Sequence, residues 1–115
     1  MDYNSKKGFE IAGHLEIKVI ENEDEFEGEI EKWNEILIHG DSEGLKSLAK
    51  QLIDLAELDQ EKVDNKFLPV GAREHLHLRP NIELSKSSTE TIIGRLDSKV
   101  NKDFPDNYIP KDEIE

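Results

Sequence analysis

The spacing of the apolar residues changes twice along this chain, from two to three-and-four and back to two, and that change of period constrains the fold more than any other feature. From Phe9 the apolar side chains fall on odd positions, Phe9, Ile11, Leu15, Ile17 and Val19, with Glu10, Glu16 and Lys18 between them. Period two is the mark of a strand with one wet face. Trp33 to His39, WNEILIH, reads as a second strand and the hairpin partner of the first, with Phe26 and Ile30 available to extend it upstream. Leu45, Leu48, Ala49, Leu52, Leu55 and Ala56 then recur at three and four, which predicts one amphipathic helix from about residue 43 to 58. Asp41 or Ser42 stands where a side-chain oxygen accepts from the free N–H groups of the first turn.

Residues 59–73 lose the period and carry Pro69 and Gly71, so they predict a long connection anchored at FLPV. Glu74 to Leu78, EHLHL, restores period two as a third strand. A turn follows within RPNIELSKSS, and Thr89 to Leu96 is the fourth strand. The expected fold class is therefore α+β: a four-stranded, mainly antiparallel sheet with one helix on one face, in the order ββαββ. It forms one domain over residues 1–97, followed by an acidic, mobile tail over 98–115 in which Phe104, Tyr108 and Ile109 are the side chains able to dock. Four strands at about 4.8 Å spacing make a sheet nearly twice as wide as a helix of about 10 Å, so part of its face has no lid. A homodimer, the tail or a protein partner are three ways to cover it.

Charge narrows the choice of partner. The 115-residue chain has a formal net charge of −12, and residues 21–35, ENEDEFEGEIEKWNE, hold eight acidic residues against one lysine. More than half of the net charge is concentrated there. A negative field of this kind works against binding nucleic acid or an anionic membrane and suits a basic protein partner. Glu23, Asp24, Glu25, Glu27, Glu29 and Glu31 are accordingly the candidate partner-binding residues, with Trp33 beside them as an interface anchor. The same run also fits a solvated loop that keeps the chain soluble, and Trp33 also fits packing at a sheet edge. No apolar run approaches the roughly 20 residues of a membrane span, and the N-terminus lacks the apolar core of a signal peptide, so the expected location is the cytoplasm.

His75 and His77 sit two apart in EHLHL, on the strand face opposite Leu76 and Leu78. Two imidazoles on one face are weak candidates for a metal site, because a stable site needs a third or fourth ligand of matching geometry. His14 and His39, on the other candidate strands, are the only further imidazoles, and nothing in the spacing brings them to this pair. Neither a metal nor another cofactor is expected. There is no cysteine, no phosphate-cradling glycine loop, no nucleophile elbow and no HExxH, and Ser85, Ser87 and Ser88 read as turn residues rather than nucleophiles. With carboxylates this abundant, pairing any two as acid and base would be a choice rather than an inference. No catalytic residue is assigned.

The stretch ILIHGDSEGLKSLAKQLIDLAE, followed by HLHLRP and TETIIGRL, resembles a family of small bacterial immunity proteins from polymorphic toxin systems, catalogued as immunity protein family 32. The shared features are a strand ending in Gly-Asp, a Glu-Gly-Leu helix start, a Leu-Ala-rich helix, an H-x-H-L strand and a terminal apolar strand, over about residues 36 to 96. The acidic run and the tail lie outside the resemblance. It implies a non-enzymatic protein that binds and neutralises a cognate toxin made by the same cell, and it assigns no binding residue. The alternatives are a self-associating domain, or a protein that binds a metal or small ligand through His75 and His77.

Overall fold

A computed structural model describes residues 11–112. Its elements run β1 (Leu15–Phe26), β2 (Glu29–Gly40), α1 (Ser42–Glu57), a short 3₁₀ turn (Gln60–Lys62), β3 (His75–Leu78) and β4 (Thr91–Gly94). The class is α+β with one helix, as the periods predict. The single four-stranded sheet is not what forms: among the described residues β1 pairs only with β2 and β3 only with β4, both antiparallel, in two separate two-stranded sheets.

The reason lies in the serine-rich turn. Residues 85–89 run along the edge of β1 where a third strand would pair, with the Ser85 N–H donating to the Leu15 carbonyl (2.9 Å) and the Thr89 N–H to the Ile17 carbonyl (2.7 Å). Two residues on β1 thus span four on the partner segment, because the chain folds back in between with the Ser88 N–H bonded to the Ser85 carbonyl. The Ile17 N–H finds the Ser88 hydroxyl oxygen (3.2 Å) instead of a backbone carbonyl. Side-chain hydroxyls have replaced the ladder, which is how Ser competes with regular structure.

The acidic run, which by composition also fits a solvated loop, forms the paired outer halves of both strands. Glu21–Phe26 completes β1 and Glu29–Glu35 opens β2, joined by the two-residue turn Glu27-Gly28 with φ of 52° and 84°. Positive φ at both central residues is the hairpin turn whose twist matches the flanking strands. The first strand accordingly starts and ends later than its alternation suggested, with Ile11 packed against the core ahead of it and Phe9 outside the described residues. Twelve residues a side give a hairpin about 40 Å long. The Cα radius of gyration is 17.4 Å, against about 13 Å for a compact chain of ~100 residues.

Helix α1 begins where expected, capped by Asp41, whose Oδ1 accepts from the Gly44 N–H (2.8 Å). The same oxygen accepts from the His14 N–H (3.0 Å), and the Asp41 N–H donates to the His14 carbonyl (3.1 Å). Gly44 lies against that carbonyl so closely that a Cβ would overlap it. This corner, with the Ala12 N–H on Ser47 Oγ (3.0 Å), pins the first turns of the helix to the segment that leads into β1. The buried helix residues are Gly44, Leu48, Gln51 and Leu55. Leu45 and Leu52, expected in the buried stripe, remain 45% and 38% exposed, and Ala49 and Ala56 are exposed too.

The main core joins Leu15, Ile17, Leu48, Leu78 and Leu84, and a smaller cluster joins Leu58, Val63 and Leu68. Of the FLPV anchor only Leu68 is buried. Polar groups tie the connections down. Arg95 donates to the Leu55 and Leu58 carbonyls (3.0 and 2.9 Å), putting a cation on the C-terminal end of α1, and forks onto Asp97 (2.8 and 2.7 Å). Gln60 accepts from the Glu74 N–H and donates to the Asp97 carbonyl, both at 2.9 Å. Ser98 and Lys99, assigned by sequence to the tail, are 1% and 3% exposed. The Lys99 ammonium is enclosed by the Val63 carbonyl, Asn65 Oδ1 (2.7 Å) and the Leu68 carbonyl (2.8 Å). Further along, Phe104 and Tyr108 are half-exposed and meet edge to face at 5.5 Å.

Candidate partner-binding surface

The hairpin has two parts. At its base Leu15 and Ile17 are buried; from Glu21 to Ile36 no residue is. This outer part is an arm with solvent on both faces. Cross-strand register assigns the side chains to faces. Glu21, Glu23 and Glu25 lie opposite Asn34, Lys32 and Ile30 on one face; Asn22, Asp24 and Phe26 lie opposite Trp33, Glu31 and Glu29 on the other. All six candidate carboxylates are therefore displayed on the arm, with Glu27 at its turn. Trp33 is 44% exposed and stands on the same face as Phe26, which is 76% exposed, with Asp24 and Glu31 between them; Ile30, 59% exposed, lies on the other face.

Asp24 and Glu31 are directly opposed. Like charges in that position destabilise a hairpin, so the acidic pattern does not serve the arm's own stability. What holds it is the backbone ladder, the favourable turn, Glu23 facing Lys32, and the Asn22 amide on Glu35.

Below the arm, the face shared by Leu15 and Ile17 continues as Val19, Ile36 and Ile38. These three are 43%, 66% and 50% exposed. Leu45 extends the row, since its Cγ lies 3.0 Å from where a Cβ on Gly40 would be. An uncovered strip is thus present, on a two-stranded sheet rather than on the four-stranded one from whose width it was anticipated. Ile36 and Ile38 were legible as strand residues, but their exposure was not.

The base of the hairpin carries perturbed carboxylates. Asp41 is held below the usual carboxylate range chiefly by the hydrogen bond from the His14 backbone, then by that from Gly44. Glu16 is lowered mainly by the Ser87 hydroxyl, with Lys18 at 3.5 Å assisting. Both fasten neighbouring segments. Ser85, Ser87 and Ser88 bond to one another and to β1, as turn residues do.

The histidines fall into two separate places. His75 and His77 are exposed on β3, their rings edge to face at 4.7 Å, with His75 Nδ1 3.1 Å from the Arg73 carbonyl oxygen. His14 and His39 line a cleft at the hairpin base, where His39 is 3.6 Å from Glu16. Among the described residues, no group of three or more His, Asp or Glu is arranged to hold a metal ion. Nor, among them, is any helix long and apolar enough to cross a membrane.

No curated protein and no solved structure matches this chain. A family model described as Immunity protein 32 does match, over residues 35–96. That span runs from the inner end of β2 through α1 and β3 to just past β4, and it leaves the acidic arm outside. Since it covers more than half of the sequence, the chain belongs to the Immunity protein 32 family.

Proposed function

We propose that this protein is a non-enzymatic immunity protein that acts in the cytoplasm and neutralises a cognate toxin by direct contact, with the acidic arm as part of the contact surface. Family membership supports the role. The observation that carries the choice of surface is the display of Glu23, Asp24, Glu25, Glu27, Glu29 and Glu31, with exposed Trp33, on an arm that buries nothing of its own. An array of carboxylates attracts a basic toxin from a distance and accelerates association, most strongly at low salt. Exposed aromatic and aliphatic side chains among them supply the area that holds the complex once formed.

The test is binding of the protein encoded beside this chain, measured at low and moderate salt for the native sequence and for a variant with all six residues changed to Gln or Asn. Tight binding that weakens as salt rises, with association slowed about tenfold or more in the variant, is the expected result. Unchanged association by the variant removes the arm from the interface. Absence of any binding removes the toxin assignment for that neighbour.

A further inference from the structure

The open edge of β2 is a site for strand addition. The carbonyls of Leu15 and Ile17 point away from β2, since they accept from Ser85 and Thr89. Their cross-strand partners Gly40 and Ile38 therefore belong to the pairs that do not exchange ladder bonds, and by alternation Ile36, Asn34, Lys32 and Ile30 do too. The backbone N–H and C=O groups of Ile30, Lys32, Asn34, Ile36 and Ile38 thus all face outward. None of them has a backbone partner elsewhere among the described residues. The corresponding edge of β1 is blocked at its base by residues 85–89 and bears Glu21, Glu23 and Glu25 beyond it.

An exposed strand edge of this length templates pairing with another chain, and proteins ordinarily blunt it. Here the flanking chemistry specifies what can pair. On one face of β2 the row is Ile30, Lys32, Asn34, Ile36 and Ile38; on the other it is Glu29, Glu31, Trp33, Glu35, Leu37 and His39. A second copy added through the same edge would bring together two arms, each with eight acidic residues against one lysine over residues 21–35, and like charges across a sheet repel. A cationic strand has no such penalty.

We infer that β2 accepts an extended strand from its protein partner, alternating apolar with Lys or Arg, so that apolar side chains join Ile36 and Ile38 and cations meet Glu29, Glu31 and Glu35. The mode rests on the toxin-binding reading for its biological partner, while the edge itself is testable without one. Backbone bonds would supply generic attachment and the alternating faces the selectivity.

The probe is a synthetic peptide, acetyl-Lys-Val-Lys-Val-Lys-Val-Lys-amide, titrated into the full chain labelled with ¹⁵N. Amide exchange is read at residues 30, 32, 34, 36 and 38. Two controls have a blocked order of the same residues, Lys-Lys-Lys-Val-Val-Val-Lys, and Glu in place of Lys. The expected result is slowed exchange at three or four consecutive members of that set, the reach of a seven-residue strand, with the alternating cationic peptide alone. The variant Ile36→Pro removes an outward N–H without touching the ladder to β1, and should weaken binding about tenfold while Ile36→Thr keeps it.

Equal response to the blocked peptide, or shifts without slowed exchange, would reduce the effect to bulk charge and overturn the inference. So would no binding. Protection already present without peptide would mean that the edge is covered, by a second copy if it grows with protein concentration and by the chain itself if it does not. If the neighbouring toxin binds yet leaves these amides unprotected, strand addition fails while the toxin assignment stands. If the peptide binds as expected and the toxin does not, the reverse holds.

Discussion

The base and the tip of the β1–β2 hairpin share one backbone ladder and differ in nearly everything else. At the base, Leu15 and Ile17 are 2% and 3% exposed and pack with Leu48, Leu78 and Leu84. Burial of that kind contributes about 1.5–3 kcal/mol per side chain. At the tip no side chain is buried, and two carboxylates face one another across the strands. The contrast separates two uses of one secondary structure: the base is a wall of the core, and the tip is a surface whose composition is free of packing demands. It follows that stability and partner binding should respond to different halves of the same hairpin.

The strongest way to break this division is to attack the body. Leu78→Ala, at a fully buried position beside the base, should cost about 2–5 kcal/mol in urea unfolding, while Ile30→Ala at the tip should stay within about 0.5 kcal/mol. Equal costs would mean that the tip packs in solution.

Lys99→Met comes next. It leaves two carbonyls and an amide oxygen without their buried donor, and each such loss costs about 1–3 kcal/mol. Hydrogen exchange should accelerate first over residues 63–72 and leave the arm unaffected.

Gly44→Ala tests the corner where the start of the helix meets His14. Alanine is the better helix former, yet its Cβ meets the His14 carbonyl, so the variant should lose about 1–3 kcal/mol by thermal melting. A gain would show that the corner yields easily.

Acid should act on the body as well. Asp97, lowered chiefly by its hydrogen bond to Arg95, and Asp41, lowered by the His14 backbone, have folded-state values beneath their unfolded ones. Their contribution is complete above the unfolded carboxylate range and fades as pH falls below about 4 and through the folded values. Asp97→Asn should flatten the acid limb of a stability-against-pH curve.

The smallest effect on stability is expected from neutralising the six arm carboxylates. Each change should stay within about ±0.5 kcal/mol, and relief of the Asp24–Glu31 opposition makes a net gain the expected sign. A large loss would mean that these side chains support the fold.

Local patterns were readable in the sequence wherever one element's own residues decide its state. The Asp41 cap and the start of α1 follow from a short side chain ahead of a three-and-four repeat, and His75–Leu78 from strict alternation. The arm was harder to see because glutamate is a poor strand former and Phe26 and Ile30 are too sparse to set a period. Glu27-Gly28 between them was the available signal for a hairpin turn. The two-sheet arrangement was not legible, since it depends on Ser88 offering a hydroxyl to Ile17 from 71 residues away. Gln60, Arg95 and Lys99 are similar cases: polar residues outside the regular strands and helix, each held by an acceptor 36 to 40 positions off as well as by nearer partners. Of the candidate surface, the carboxylates and Trp33 were visible by composition, while the exposure of Val19, Ile36 and Ile38 was not.

The segment from Ser85 to Thr89 has a mechanical meaning. A rigid hairpin that protrudes from a small body is a lever, and its fulcrum is the place where β1 is fastened on its outer side. Those fasteners are the bonds from Ser85 and Thr89 to Leu15 and Ile17, close to the base, whereas any tug delivered at Glu27 acts some seven residues beyond Ile20, about 23 Å at the usual rise per residue. Part of any torque at the tip is therefore carried into the body through these two amides. Their exchange rates form a gauge of whatever grips the arm.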